Sequence, residues 1–181
     1  YQFETAHPFL DGNGRLGRLL ITLMLINDGV LHSCLFYPSF QFKKNRSEYY
    51  RQLTSVRERG TYEEWIEFFC NSLLESAEDS VGSLKNLVDL HNRSTATITE
   101  NLGRTAANGQ RLLGILEEHP IVDTAFIAAQ LDIGRSTASS LVKSFEELGI
   151  LRPLDESRQR YRQYGYEEYL SILREDAEPI R

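Results

Sequence analysis

Cysteine is nearly absent from this chain. Cys34 and Cys70 stand alone among 181 residues, too few for a disulfide framework and at no spacing that holds a structural metal. A reducing compartment, the cytoplasm, is the default expectation. Long apolar runs are absent too. The longest, Leu19 to Ile26, is interrupted by Thr22 and is far too short to span a bilayer, so no membrane partner is expected. No signal peptide is visible, and the first residue is Tyr1, not Met, so the chain reads as a stretch from within a longer one. Positive charge is not in excess: the net charge of -6 argues against a general electrostatic hold on nucleic acid and leaves room only for a local basic patch. No internal repeat is evident. What remains, 41% hydrophobic and 25% charged residues, is the composition of a soluble globular protein with one domain or two small ones.

The hydrophobic pattern is helical almost throughout. Tyr1 to Ala6 reads as the end of a helix and His7 to Gly12 as a loop. Leu16, Leu19, Leu20, Leu23, Met24 and Ile26 predict a central, mostly buried helix broken at Asp28-Gly29. Further helices are expected around Tyr49 to Val56, from Trp65 to Leu74, and over 81–92. The Ser, Thr and Asn-rich stretch 93–108 reads as a linker or connecting helix. Beyond it, Leu112 to Leu116 form a helix ending before Pro120, and Thr124 is placed to cap a second one. Asp132-Ile133-Gly134 makes a turn, and a third helix runs from about Ser136 to Gly149. Ile150-Leu151 and Tyr161 to Tyr164 are read as two strands. That order is the one a winged helix-turn-helix follows.

The chemistry concentrates in His7-Pro8-Phe9-Leu10-Asp11-Gly12-Asn13-Gly14-Arg15-Leu16-Gly17-Arg18. Glycines on either side of Asn13 let successive backbone N–H groups converge on an anion, and the helix that follows favours the same anion through its dipole. Arg15 and Arg18, three apart, share a helix face, and guanidinium forks suit phosphate oxygens. Asp11 can hold Mg2+, and an imidazole can take a proton near neutrality, which suits His7 as a base toward a hydroxyl. No Lys-Ser/Thr follows the glycines, so this is not a Walker A loop; no βαβ pattern surrounds them, so it is not a dinucleotide fingerprint.

These twelve residues resemble the signature of the Fic domain family, His-x-Phe-x-Asp/Glu-Gly-Asn-Gly-Arg-x-x-Arg, at every fixed position. The resemblance implies a protein adenylyltransferase: AMP passes from ATP to a Ser, Thr or Tyr hydroxyl of a target protein. It makes His7 the base and Asp11 the Mg2+ ligand. Gly12, Asn13 and Gly14 become the anion hole, Arg15 and Arg18 the phosphate contacts, and Tyr50, or after it Tyr49, the residue beside the adenine. The same motif serves AMP removal and other nucleotide donors, and a nucleotide-sensing transcriptional regulator is the alternative of a different class. The implied fold is mainly α: 1–92 the C-terminal part of a Fic domain with its helical bundle, 93–108 a connector, and 109–181 a small winged helix-turn-helix domain like that of many bacterial relatives. Family members carry further helices and a target-docking flap ahead of the motif, so full activity is expected to need that part.

In the C-terminal stretch, Arg135, Ser139 and Lys143 on the third helix are placed to contact a duplex. Arg158, Arg160 and Arg162 alternate as on one face of a strand. Glu146, Glu147, Asp155 and Glu156 dilute that patch. Winged helices also dimerise, so a homodimer stands beside duplex DNA as a partner.

Overall fold

The computed structural model describes residues 1–32, 38–155 and 162–175. They divide into two compact units that meet inside one helix, between Gly82 and Ser83.

The first unit opens with α1 (Gln2–Ala6) and α2 (Asn13–Asn27). It continues through α3 (Ser39–Lys44), α4 (Arg46–Arg59) and the first part of α5 (Tyr62–Asn101). Gly60 ends α4 in the left-handed region, at φ 70°, where glycine has no Cβ to clash. Phe42, Tyr49, Val56 and Trp65 form an aromatic core, with Ile21, Leu53, Phe68 and Phe69 packed against it. Phe42 stacks on Phe69 at 5.5 Å, and Tyr49 meets Trp65 edge-on at 5.6 Å. This core draws α2 in through Ile21 alone. The expectation of a mostly buried α2 is corrected: of its residues only Asn13, Gly17 and Thr22 are buried, and Leu16, Leu19, Leu20, Leu23 and Met24 are exposed. Among the described elements α1 is the neighbour of α2, and five residues of helix cannot cover its leucine side.

The expected break between Leu74 and residue 81 does not exist, since α5 runs unbroken for 40 residues. Its polar end, 93–101, stays helical because the side chains bond back along the helix. Thr97 Oγ1 donates to the Arg93 carbonyl at 2.9 Å, Thr99 Oγ1 to Thr95 at 2.8 Å, and Asn101 Nδ2 to Thr97 at 2.8 Å. Residues that elsewhere compete with the backbone are satisfied within the helix.

The second unit begins within α5 and adds a short 3-10 turn, Gly103–Thr105, and α6 (Ala106–Glu118). It continues with β1 (Ile121–Asp123), α7 (Thr124–Leu131) and α8 (Arg135–Glu147). It closes with β2 (Arg152–Pro153), β3 (Gln163–Gly165) and α9 (Glu167–Glu175). The strands form an antiparallel sheet in the order β1-β3-β2, with Val122 opposite Tyr164 and Pro153 opposite Tyr164 on the other side. Leu112, Leu116, Ile127, Leu131, Phe145 and Leu151 fill the core, and buried Ser94 and Tyr166 share a 2.7 Å hydrogen bond within it. The chain is thus mainly helical with a small three-stranded sheet near its C-terminal end.

Two expectations change here. Strand pairing begins at Arg152, not at Ile150; on the other strand Gln163 is the first paired residue among those described, Tyr161 lying outside them, and β1 was not foreseen, because three residues give no alternation to read. The cap of α7 is Asp123, not Thr124: its Oδ1 accepts the Phe126 N–H at 2.7 Å. Asp123→Ala should therefore cost the second unit about 1 kcal/mol in a urea titration, with Thr124→Ala close to neutral.

Candidate functional site

The signature segment bridges α1 and α2. His7 ends α1 in the left-handed region, at φ 46° and ψ 54°, a conformation uncommon for a residue with a Cβ. Its ring is exposed. Nδ1 lies 3.3 Å from the Glu4 carbonyl, which can only accept, so Nδ1 is the donor in this contact and Nε2 makes no hydrogen bond to Glu4.

Gly12 turns the chain into α2 at φ 82°. Its N–H donates to Asp11 Oδ1 at 2.6 Å, while Asp11 Oδ2 faces Arg15 at 3.3 Å in a solvent-exposed pair. Arg15 and Arg18 both fold back on the turn. A Cβ on Gly12 would lie 3.6 Å from Arg15 Nη2, and one on Gly14 3.2 Å from Arg18 Nη1. Two guanidinium groups thus stand over the first turn of α2, whose leading N–H groups have no intrahelical acceptor.

Asn13 does something else. It is 1% exposed, and its carboxamide is fully engaged with the Phe9 backbone: Oδ1 accepts the Phe9 N–H at 2.9 Å, and Nδ2 donates to the Phe9 carbonyl at 2.6 Å. Its side chain shapes the loop and is turned away from any ligand.

Beside this turn lies a hollow of about 310 Å³ lined by Glu4, Thr5, His7, Gly14, Tyr50, Leu53, Thr54 and Arg57. Of the residues expected from sequence, it brings together His7, Gly14 and Tyr50. Asp11, Gly12, Asn13, Arg15 and Arg18 gather at the start of α2 without lining it. The choice between the two tyrosines is decided by burial. Tyr49 is 4% exposed within the aromatic core, whereas Tyr50 is half exposed on the hollow, with the Arg46 guanidinium 5.6 Å above its ring. Burial first, then the nearby Glu4 charge, push the Tyr49 phenol well above its ordinary range, so it remains a neutral donor. Arg57 and Glu4 are the site residues that sequence reasoning missed. Arg57 sits about two helical turns beyond Tyr50 on the same face of α4, a relation that is visible only once Tyr50 is known to face the hollow.

Among the described residues no three His, Cys, Asp or Glu side chains cluster as a metal cage. The exposed Asp11 carboxylate beside the glycine turn nonetheless fits Mg2+, which takes one or two carboxylates and fills its remaining positions with water and phosphate oxygens. Its pairing with Arg15 is an exposed one, of the kind worth roughly 0–1 kcal/mol, and is easily exchanged.

In the second unit, Arg135, Ser139 and Lys143 form an exposed row on α8, opposite the buried Ala138, Leu141, Val142 and Phe145. Lys143 pairs with Glu147 at 3.7 Å. Arg158 and Arg160 lie outside the described residues. No described helix is long and apolar enough to cross a membrane.

Comparison with known proteins agrees on the class of chemistry. The Fic/DOC family model matches residues 1–25. A protein adenylyltransferase of Caenorhabditis elegans is 30% identical over 89 residues, 49% of this chain and 16% of its own length. A probable protein adenylyltransferase of Aquifex aeolicus is 38% identical over 56 residues, 31% of this chain and 15% of its own length. The chain spans about one sixth of the length of the curated relatives it matches. The family match also corrects the resemblance drawn from sequence. It lies at the N-terminal residues 1–25, so the reading of the resemblance as the C-terminal part of a Fic core is overturned.

Replacing Asn13 by Ala removes both bonds to Phe9 and leaves a partly buried N–H and carbonyl without their partner. Unfolding of the first unit should be easier by about 1–3 kcal/mol in chemical denaturation.

Proposed function

We propose that this chain carries the catalytic segment of a protein adenylyltransferase that moves AMP from ATP to a Ser, Thr or Tyr hydroxyl of a target protein. The observation that carries the reading is the single hollow on which His7, Gly14 and Tyr50 meet, next to a helix start bearing two arginines. The similarity to adenylyltransferases supports it.

In this reading ATP lies with its base against Tyr50 and its phosphates over the first turn of α2, steadied by Arg15, Arg18 and Arg57. Asp11 would hold Mg2+, which would supply positive charge to stabilise the reacting phosphates. His7 Nε2 takes the proton of the target hydroxyl as that oxygen bonds to the α-phosphorus. The bond to the bridging oxygen breaks and pyrophosphate leaves. Most of the acceleration comes from placement and from fixed positive charge around the phosphates.

A second reading concerns the second unit. Three helices, α6 to α8, with β1 between the first two and the β2-β3 pair after the third, and Arg135, Ser139 and Lys143 exposed in a row, support a winged helix-turn-helix over 109–181 that touches duplex DNA. Arg135→Ala should weaken duplex binding several-fold and flatten its salt dependence in a fluorescence anisotropy titration.

The transfer reading is tested with ATP labelled at the α-phosphate, Mg2+ and cell lysate. Label should enter protein with the native chain and stay absent with His7→Ala, while ATP affinity changes less than threefold. Arg57→Ala should weaken ATP binding by about tenfold, the loss of one charge-assisted contact. Labelling by His7→Ala equal to the native chain would overturn the assignment.

A further inference from the structure

We propose that Glu4 is the positioning residue of this site: its carboxylate fills the space that Gly17 leaves open and holds α1, α2 and α4 at their working separation around the hollow. For the reaction it positions, the proposal rests on the reading above; the carboxylate's seat stands on geometry alone.

Glu4 touches every wall of the site. It belongs to α1, three residues before His7, and its own carbonyl takes the His7 Nδ1–H. Its side chain turns inward onto α2. A Cβ on Gly17 would overlap Glu4 Oε1 and crowd the Phe3 ring at 3.2 Å, and one on Gly14 would lie 3.9 Å from Glu4 Oε2. Any larger residue at 17 would push the end of the Glu4 side chain out of this seat. On α4, the buried Tyr49 phenol faces the same carboxylate, and the next residue, Tyr50, lines the hollow with His7.

The seat is costly. Glu4 Oε1 is buried and has no hydrogen-bond partner among the described residues, a penalty that an alanine or leucine there would avoid. A buried carboxylate oxygen without a donor, next to the arginine-bearing turn, is a group retained for its position and charge. Glu4 Oε2 and Arg18 Nη1 both approach the place a Cβ on Gly14 would take, at 3.9 and 3.2 Å, so the carboxylate stands on the same side of α2 as one of the two guanidinium groups. Packing accounts for the glycine at 17 but not for the choice of an acid opposite it.

The test uses the whole chain in four forms: native, Glu4→Gln, Gly17→Ala, and the double variant Glu4→Ala with Gly17→Ala. Glu4→Gln keeps the shape and removes the charge. It should lower kcat for AMP transfer by roughly tenfold to a hundredfold, the scale of a small misplacement, with KM for ATP within about threefold of native. Gly17→Ala should lower both kcat and Tm. Adding Glu4→Ala should return Tm toward the native value, the mark of direct coupling. Native kcat in Glu4→Gln, a change confined to KM, or strictly additive Tm losses would overturn the proposal. If the native chain transfers no label, the proposed reaction fails by itself. The positioning claim is then decided by the ¹⁵N shifts of the His7 imidazole: Glu4→Ala should move them away from the Nδ1-protonated form, and unchanged shifts would overturn it.

Discussion

One buried carboxamide holds the signature segment in shape. Asn13 spends its acceptor and one donor on the backbone of Phe9, four residues earlier, and so closes the loop between His7 and α2 into a fixed ring. Everything chemical is carried on that ring. It sets where the left-handed His7 leaves α1, where Gly12 turns, and which N–H groups of α2 point outward. A loop free to move would scatter the imidazole and the anion-binding amides over several ångströms, and the advantage of fixed dipoles would vanish.

The charges around the ring are arranged on two sides. Arg15 and Arg18 bend back over the glycine turn, and Arg57 reaches the hollow from α4, so phosphate would meet cations from both. Asp11 and Glu4 are the acids nearby, and their settings differ. Asp11 is exposed and loosely paired, free to exchange Arg15 for a hydrated cation. Glu4 is pressed against Gly17 with one oxygen buried, fixed in place and unable to follow a ligand. One carboxylate is mobile and the other structural, which matches a division between binding and positioning.

The second unit is a different physical case. Its core is a continuous set of fully buried aliphatic and aromatic side chains, and its one buried polar pair, Ser94 with Tyr166, is mutually satisfied. Among its described residues Arg135, Ser139 and Lys143 form an exposed row on α8. A rigid unit with a polar helix face suits recognition of a surface, whereas the first unit holds a hollow with convergent reactive groups.

Much of this was legible beforehand. The signature residues, the helix after them, its stop at Asp28-Gly29 and the three C-terminal helices follow from spacing, glycine placement and apolar periodicity, which are local properties. Spacing also located the basic face of α2 and the turn before α8. Local rules failed where a partner decides the outcome. Burial of α2 depended on what packs against it, the continuity of α5 on hydroxyls bonding back to their own helix, and the cap of α7 on which oxygen reaches Phe126. The choice of Tyr50 over Tyr49, and the roles of Arg57 and Glu4, required α1, α2 and α4 to be brought together. Sequence by itself determined which chemical groups this chain has and in what local order. Only the tertiary structure decided which of them meet, because contact between residues 4, 17 and 49 is a property of packing and leaves no trace in their separation along the chain.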